Sequence, residues 1–281
     1  MEIVRSIAAC RLLRKSWLDR RFEVCLVPTM GALHTGHLSL IEAAQKRSNH
    51  VVVSIFVNPK QFGPSEDYTE YPRTIDKDLG ELERLGIGVV FIPEANEMYS
   101  ADYRTHVIVE ALSHRLCGRS RPTHFRGVST VILKLFNLVQ PQVAFFGQKD
   151  AQQSILIQQM VKDLNLEIEV VVCPTVRAKD GLAISSRNQY LTHEERMAAP
   201  VLSRCLVWAT QQVSQGERLV QNILGGIYQR MASEPLVHLD YVSIVDPNTL
   251  QPISWLDGKA LLALAVFIGK TRLIDNTYLV P

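Results

Sequence analysis

EVCLVPTMGALHTGHLSLIEAAQKRSNHVVVSIFVN, residues 23–58, is the stretch that decides the fold class of this chain. An apolar run at 23–27 precedes a turn with two glycines, a helical pattern covers 37–48, and a second apolar run covers 51–58. Both runs are continuous rather than alternating with polar residues, which is typical of strands covered on both faces. The order strand, helix, strand therefore predicts a parallel sheet.

The same alternation continues as far as Pro174. Further helices are predicted at 76–86, 127–140 and 151–165, and further strands at 88–93, 142–146 and 167–172. We therefore predict an α/β fold whose N-terminal domain, residues 1–175, is a doubly wound, Rossmann-like parallel sheet. Beyond it the pattern changes to helices at about 193–214 and 217–232 and strands at 239–246 and 260–268. These elements predict a smaller α+β domain over residues 176–281.

Composition excludes several classes of protein. The 281 residues are 47% hydrophobic with a net charge of +2, and no basic run predicts a nucleic-acid partner. The longest apolar run, at 260–268, is far shorter than the roughly 20 residues that span a bilayer. Five widely spaced cysteines without a C-x-x-C motif predict reduced, mostly buried thiols. We expect a cytoplasmic protein without a membrane segment.

The turn PTMGALHTGH, residues 28–37, has features of a phosphate site. Gly31 permits a positive φ after the strand, and Gly36 leaves room for a ligand against the backbone. His34 and His37 are three residues apart at a helix start, where the helix N-terminus favours anions. A glycine-rich turn with two exposed histidines explains the spacing equally well. A metal pair is a third alternative, but it lacks a nearby third ligand.

Further polar segments are predicted near the same edge of the sheet, where ligands of parallel sheets collect. They are residues 58–62, 147–153 and 184–187. Lys149 can pair with a phosphate, whereas Asp150 can bind a ribose or simply cap the next helix. The serine-rich segment ISSRN can clamp a triphosphate, although such loops are common. Gln61 and Gln153 can bind a small polar acid, or they can be exposed and inert.

Six motifs, in their order along the chain, resemble the pantothenate synthetase (pantoate–β-alanine ligase) family. They are PTMGALHTGH, IFVNPKQFGPSEDYTEYPRT, RPTHFRGVSTVILKLFNLVQP, FFGQKDAQQ, TVRAKDGLAISSRNQYLT and RLIDN. The family is related to nucleotidyltransferases and class I aminoacyl-tRNA synthetases, and HTGH is similar to their HIGH signature. Thr35, Lys60 and Thr123 depart from the family pattern, which puts affinities rather than the reaction in question.

The resemblance implies a two-step reaction. ATP and (R)-pantoate form pantoyl adenylate and pyrophosphate, and the amine of β-alanine then displaces AMP to give pantothenate. It implies catalytic roles for His34, His37, Lys149, Ser185, Ser186 and Arg187, with His37 the candidate proton donor. It implies an ATP site formed by Met30, Gly31, Ala32, Leu33, His34, Thr35, Gly36, His37, Gly147, Gln148, Lys149, Asp150, Val176, Ile184, Ser185, Ser186 and Arg187.

The acid, the metal and the assembly are also implied by resemblance. Gln61 and Gln153 are expected to bind pantoate, and Gln61 also β-alanine. Mg²⁺ is expected on the ATP phosphates, with Asp78 as an outer partner, and the chain is expected to form a homodimer. The loop at 176–190 is expected to close over the reactive adenylate.

Two other functions are also compatible with parts of the sequence. The chain can be a nucleotidyltransferase of the same superfamily that acts on another small acid or phosphate. It can also be a nucleotide-binding protein without catalysis, although that interpretation requires loss of reactive groups, and His34, His37, Lys149 and Arg187 are all present.

Overall fold

The computed structural model describes residues 1–64 and 66–281; Ser65, inside the second of the six motifs, lies outside the described residues. The strands are β1 (Glu2–Val4), β2 (Val24–Thr29), β3 (His50–Ile55), β4 (Val89–Phe91), β5 (Val143–Gly147), β6 (Glu169–Cys173), β7 (Val237–Val245), β8 (Ala260–Ile268) and β9 (Thr271–Leu279). The helices are α1 (Ile7–Asp19), α2 (Thr35–Arg47), α3 (Ile75–Arg84), α4 (Ala95–Met98), α5 (Cys117–Ser120), α6 (His124–Val139), α7 (Ala151–Asp163), α8 (His193–Ala198), α9 (Val201–Ser214) and α10 (Val220–Ala232).

Six strands form a parallel sheet in the order β1-β4-β3-β2-β5-β6. Leu26 on β2 and Ala144 on β5 are paired in register and fully buried, as expected for strands covered on both faces. The chain runs outward from β2 to β3 on one side and reaches β5 on the other, so the strand order reverses between β2 and β5. Such a reversal opens a crevice at the carboxyl edge of the sheet, where ligands bind. The predicted α/β class is confirmed.

The C-terminal strands β7, β8 and β9 form an antiparallel sheet with β8 in the middle. One face of this sheet packs with α9 and α10 in a cluster that includes the buried Cys205, Ile223 and Leu262. Leu261 and Ala263, on the opposite face of β8, belong to the large apolar cluster around α6. The two sheets are therefore joined through shared apolar packing. The division at residue 175 stays a prediction.

Several elements differ from the sequence-based predictions. Strand β1, helix α1 and strand β9 were not predicted, because their polar residues interrupt the apolar pattern. The helix predicted over 193–214 is two helices, α8 and α9, separated at Ala199–Pro200. Proline has no backbone N–H to donate, so α8 ends before Pro200 and a new helix, α9, begins after it.

The five cysteines are all free and buried, which confirms the prediction of buried thiols. Within residues 1–64 and 66–281, no helix combines the length and the apolar composition needed to cross a membrane.

Candidate active site

A cleft of about 1200 Å³ opens at the carboxyl edge of the parallel sheet, over the crevice between β2 and β5. Its floor contains the ends of β2 and β5, and its walls include the segment 182–188 and parts of β8 and β9. Lining residues from the predicted sites are Met30, His34, Gly36, His37, Gln61, Gly147, Lys149, Asp150, Gln153, Val176, Ile184, Ser185, Ser186 and Arg187. The structure therefore gathers side chains from segments that are far apart in the sequence.

Four of the predicted ATP-site residues in the turn after β2 do not line this cleft: Gly31, Ala32, Leu33 and Thr35. The turn is instead held from below by Asp78, whose carboxylate accepts hydrogen bonds from the backbone N–H groups of Ala32 and Leu33, each at 2.9 Å. Gly31 has φ 80°, and a β-carbon there would lie 3.0 Å from Asp78 Oδ2. Only glycine satisfies both conditions.

The structure gives Asp78 a role in positioning this turn, and its predicted role as an outer partner of magnesium stays a prediction. Its side chain is only 1% exposed, and both oxygens are occupied, one of them also by the hydroxyl of Thr74 at 3.1 Å. A buried carboxylate that accepts several hydrogen bonds rigidifies the backbone around it. Asp78 thus positions the turn, and nothing of it reaches the cleft lining.

His34 and His37 lie together at the start of α2, with stacked rings whose centroids are 4.0 Å apart. Nδ1 of each ring is buried and has no hydrogen-bond partner in the described part of the chain. A β-carbon on Gly36 would come within 3.0 Å of the His34 ring. A side chain at position 36 would therefore collide with the His34 ring, and Gly36 itself lines the cleft, so its predicted contact with a ligand stays a prediction. Both rings also line the cleft, where an imidazole N–H can donate to an oxygen of a bound anion.

Both imidazoles are neutral near pH 7. Burial, followed by the positive charge of Lys149, lowers the pKa of His34 to about 4. Burial, followed by the neighbouring His34 and by Lys149, lowers the pKa of His37 to about 3. These two histidines therefore act on an anion as hydrogen-bonding groups, whereas Lys149 supplies a full charge.

We expect the free energy of unfolding to decrease as the pH falls from 6.5 to 4.5. Unfolded His34 and His37 take up protons near their ordinary pKa of 6.5, whereas in the folded chain they resist protonation down to about 4 and 3. Carboxylates contribute mainly below the ordinary glutamate pKa of 4.5. Urea titrations across this interval should show a shallower pH dependence for the variant His34→Gln/His37→Gln than for the exposed-site control His193→Gln. Equal slopes would contradict the assignment.

The segment after β5 places Lys149 and Asp150 in the cleft, with Lys149 Nζ 3.6 Å from Asp150 Oδ1. Asn276 on β9 holds this segment, because its Nδ2 donates to the carbonyl oxygens of Gln148 and Lys149, each at 2.9 Å. The Gln148 side chain donates to Asn276 Oδ1 at 2.8 Å and does not line the cleft. Gln148 was predicted in the ATP site, but its amide is used in this clamp.

The ISSRN segment lies against the chain that follows β3. Arg187 donates to both carboxylate oxygens of Asp67, at 2.9 and 2.8 Å, and its guanidinium lies 5.7 Å from the ring centre of Tyr71. Ser186 Oγ is 3.1 Å from the Tyr71 hydroxyl. The pair with Asp67 uses Nε and Nη2 of Arg187, so Nη1 keeps donors for another acceptor.

A buried amide network orients Gln61. The Asn58 amide donates to Gln61 Oε1 at 3.0 Å and to the carbonyl oxygen of Gly127 at 3.1 Å. The hydroxyl of Tyr99 donates to Asn58 Oδ1 at 2.8 Å. Since Gln61 Oε1 is used as an acceptor, Gln61 Nε2 is left to donate, and it lies 3.0 Å from Met30 Sδ at the cleft. Gln61 is therefore set to recognise an acceptor such as a carboxylate or hydroxyl oxygen.

The second predicted amide, Gln153, also lines the cleft, in the first turn of α7. Its neighbour Gln152 lines the same cleft but is used structurally. Its Nε2 donates to the carbonyl oxygens of Leu112 and Arg115, and its Oε1 accepts from the Cys117 N–H. Gln153 has no comparable network among the described residues, so it is the one that remains for a ligand.

Three residues with clear positions in the site were given no role by the sequence: Asn58, His124 and Asn276. Each lies inside one of the six motifs, and this was the only indication in the sequence that they belong to the site. Apart from Gln61 and the backbone N–H of Lys60, which both lie next to Asn58 in the chain, the partners of these side chains are 41 to 128 positions away. Local spacing therefore does not reveal these contacts.

Comparisons with known proteins identify the family of this chain. The sequence model of the pantoate-beta-alanine ligase family matches residues 2–278. The chain belongs to this family. A pantothenate synthetase of Clostridium botulinum is 49% identical over 276 residues, 98% of each chain.

Solved structures of the family have the same fold. The pantothenate synthetase of Thermus thermophilus is 43% identical, with a TM-score of 0.95 over 100% of both chains. A pantoate-beta-alanine ligase from Francisella tularensis, complexed with beta-gamma ATP and beta-alanine, is 34% identical, with a TM-score of 0.81 over 99% of this chain and 97% of that one. The predicted family and enzyme class are confirmed: the chain is an ATP-binding ligase of pantothenate biosynthesis.

Proposed function

We propose that the cleft joins pantoate to β-alanine in two steps, through a pantoyl adenylate. The observation that carries this proposal is that phosphate-binding side chains and an amide side chain occupy different parts of one cleft. Lys149 and the paired histidines lie beside the β2–β5 crevice, whereas the amide of Gln61 lies beside β3. A triphosphate needs the first group, and a small hydroxy acid needs the second.

In the first step, a carboxylate oxygen of pantoate attacks the α-phosphorus of ATP, and the bond to pyrophosphate breaks. Negative charge grows on the phosphoryl oxygens and on the leaving group, so stabilisation by positioned donors is the main requirement. Lys149 supplies a charge, and the neutral imidazoles of His34 and His37 line the cleft as hydrogen-bonding groups. Asn276 holds the backbone at 148–149, and Asp78 holds the backbone at 32–33.

In the second step, the amine of β-alanine attacks the acyl carbon, the amide bond forms, and AMP leaves. The adenylate is sensitive to water, so enclosure helps this step. Ser185, Ser186 and Arg187 form the wall over the cleft, and a contact of Arg187 with phosphate would couple closure to ATP binding.

Mg²⁺ would be held by ATP rather than by a protein cage. Among residues 1–64 and 66–281, no three histidine, cysteine, aspartate or glutamate side chains are placed to bind a metal. Magnesium commonly keeps its waters and binds phosphate oxygens with one or two carboxylates. Asp150, whose side chain is 46% exposed, is one of the carboxylates that line the cleft and would be available to the ion. When bound, the ion neutralises part of the triphosphate charge.

The reaction order gives the direct test. Labelled pyrophosphate should exchange into ATP when pantoate and Mg²⁺ are present and β-alanine is absent, because the adenylate forms first. Full turnover should yield pantothenate and AMP together and should transfer oxygen-18 from the pantoate carboxylate to AMP. Exchange that requires β-alanine would overturn the adenylate route. A retained nucleotidyl product would instead indicate a nucleotidyltransferase.

Gln153→Ala should weaken pantoate binding and leave ATP binding nearly unchanged. One lost neutral hydrogen bond corresponds to about 0.5–1.5 kcal/mol of binding free energy. Calorimetric titration with each substrate measures the difference, and Gln158→Ala, an exposed position on the same helix α7, is the matched control. Equal losses for both substrates would mean that Gln153 supports the structure instead.

The homodimer expected from the resemblance is also part of this proposal. Light scattering should give a mass twice the 31.6 kDa of one chain. A cytoplasmic location stays a prediction from the sequence.

A further inference from the structure

His124, at the first position of α6, has a defined tautomer. Its Nδ1 lies 2.8 Å from the backbone carbonyl oxygen of Gln61. A carbonyl oxygen only accepts hydrogen bonds, so Nδ1 must carry the hydrogen. In a neutral imidazole the other nitrogen, Nε2, then presents a lone pair and can only accept.

The surroundings of His124 keep this ring neutral. Burial, followed by the positive charge of Arg121, lowers the pKa of His124 to about 3. Arg187 acts in the same direction more weakly, whereas Glu66 and the bond to Gln61 act in the opposite direction. Glu66 is itself paired with Arg121, Nε to Oε1 at 2.9 Å. The lone pair on Nε2 is therefore available throughout the neutral range.

His124 lines the cleft together with Gln61, the residue expected at β-alanine, and Nε2 has no hydrogen-bond partner among residues 1–64 and 66–281. The groups assigned to adenylation, Lys149 and the pair His34–His37, are a separate set at the crevice between β2 and β5. An unpaired acceptor cannot form a hydrogen bond with a triphosphate, since phosphate oxygens are themselves acceptors. An attacking amine, in contrast, carries N–H groups that need one.

We propose that Nε2 of His124 accepts a hydrogen bond from the amine of β-alanine and so aims its lone pair at the acyl carbon. This inference rests on the proposed function. The nitrogen–carbon bond forms, the acyl carbon–oxygen bond to AMP breaks, and AMP leaves with the electron pair. The surplus proton on nitrogen passes to solvent. His124 orients the nucleophile and does not take its proton, because an efficient general base has a pKa near the working pH.

Two substitutions separate the two ring nitrogens. His124→Asn keeps an amide N–H near the position of Nδ1, so it can still donate to the Gln61 carbonyl, but it removes the acceptor at Nε2. His124→Gln keeps an acceptor oxygen near the position of Nε2 and loses the donor at Nδ1. Melting temperatures and pantoate binding report whether either change disturbs the fold or the Gln61 segment.

The measurement compares the two half-reactions. In His124→Asn, pantoate-dependent exchange of pyrophosphate into ATP should stay near the wild-type rate. Conversion of preformed enzyme-bound adenylate by β-alanine, followed by rapid quench, should slow by about 10-fold, the upper range for one neutral hydrogen bond. His124→Gln should convert the adenylate faster than His124→Asn and should bind pantoate more weakly than wild type.

The outcomes distinguish this inference from the proposed function. If the wild-type protein shows no pantoate-dependent exchange, the proposed function fails. If exchange is normal and His124→Asn converts the adenylate at the wild-type rate, only the role of His124 is overturned. Equal slowing of both half-reactions would assign His124 to structural support of Gln61 alone. Should His124→Asn fail to fold, adenylate conversion by His124→Gln as slow as that of His124→Ala overturns the inference.

Discussion

Replacement of Lys149 by alanine is expected to lower the rate of pantoate adenylation by about 10²–10³-fold, the loss typical when one group that stabilises transition-state charge is removed. The ammonium lies in the cleft beside the stacked pair His34–His37, and its charge helps to keep both rings neutral. Without it, the growing negative charge on phosphate and pyrophosphate meets only neutral donors from these residues. Pyrophosphate exchange at saturating pantoate is the direct measurement.

The control for this experiment is Lys162→Ala, an exposed position at the other end of α7. It removes the same charge from the neighbouring helix without touching the cleft. The melting temperature of Lys149→Ala should remain close to that of wild type, because its side chain is paired only loosely, with Asp150 at 3.6 Å. Adenylation by Lys149→Ala at the rate of the Lys162→Ala control would remove Lys149 from the mechanism.

Arg177→Ala is expected to lower the free energy of unfolding by about 3 kcal/mol, the low end of the range for removing one partner of a buried ion pair, because the Arg177 side chain is itself 31% exposed. Its partner Asp275 on β9 is 1% exposed in the side chain and accepts hydrogen bonds from Arg177 at 2.6 and 2.9 Å. Removal of the guanidinium leaves an uncompensated buried carboxylate. Urea denaturation measures the loss.

The matched control is Arg196→Ala, because Arg196 and its partner Asp180 have side chains 33% and 41% exposed. Such a surface pair contributes only about 0–1 kcal/mol to stability. The double variant Arg177→Met/Asp275→Asn should recover part of the loss, since no charge is then left buried. If Arg177→Ala destabilises the chain no more than Arg196→Ala does, the pair of Arg177 and Asp275 contributes no more to the free energy of unfolding than a surface pair.

The same pair has a functional consequence. Asn276, which follows Asp275 directly, holds the backbone of Gln148 and Lys149. Loosening β9 around Asp275 should therefore disturb the Lys149 segment, so Arg177→Ala should also weaken ATP binding. Arg196→Ala should leave ATP binding unchanged.

Much of the architecture is readable from the sequence, because it depends on local periodicity. The apolar runs that became β2, β3 and β5 are continuous and are separated by helical patterns, which is the signature of a parallel sheet covered on both faces. The five widely spaced cysteines are buried and free, as predicted. The positions of His34, His37, Lys149 and Gln61 in one cleft followed from the rule that ligands collect at the carboxyl ends of parallel strands.

Two side chains have partners that the sequence did not reveal. Asp78 was expected near magnesium, yet it binds the amides of Ala32 and Leu33, about 45 positions earlier. Gln148 was expected in the ATP site, yet its side-chain amide donates to Asn276, 128 positions later. In both cases the edge of the sheet was judged correctly, but the partner of the side chain was not.

The parallel sheet, the family and the kind of chemistry at the sheet edge could be inferred from the sequence, because periodicity and motif spacing are properties of neighbouring residues. The polar atoms that are already paired became known from the folded structure. In the folded chain, Asp78 accepts hydrogen bonds from the turn after β2, and Arg187 is paired with Asp67. Nε2 of His124 has no partner among the described residues. Pairing depends on distances between segments far apart in the chain and on their burial, and burial decides which nitrogens carry a proton or a charge.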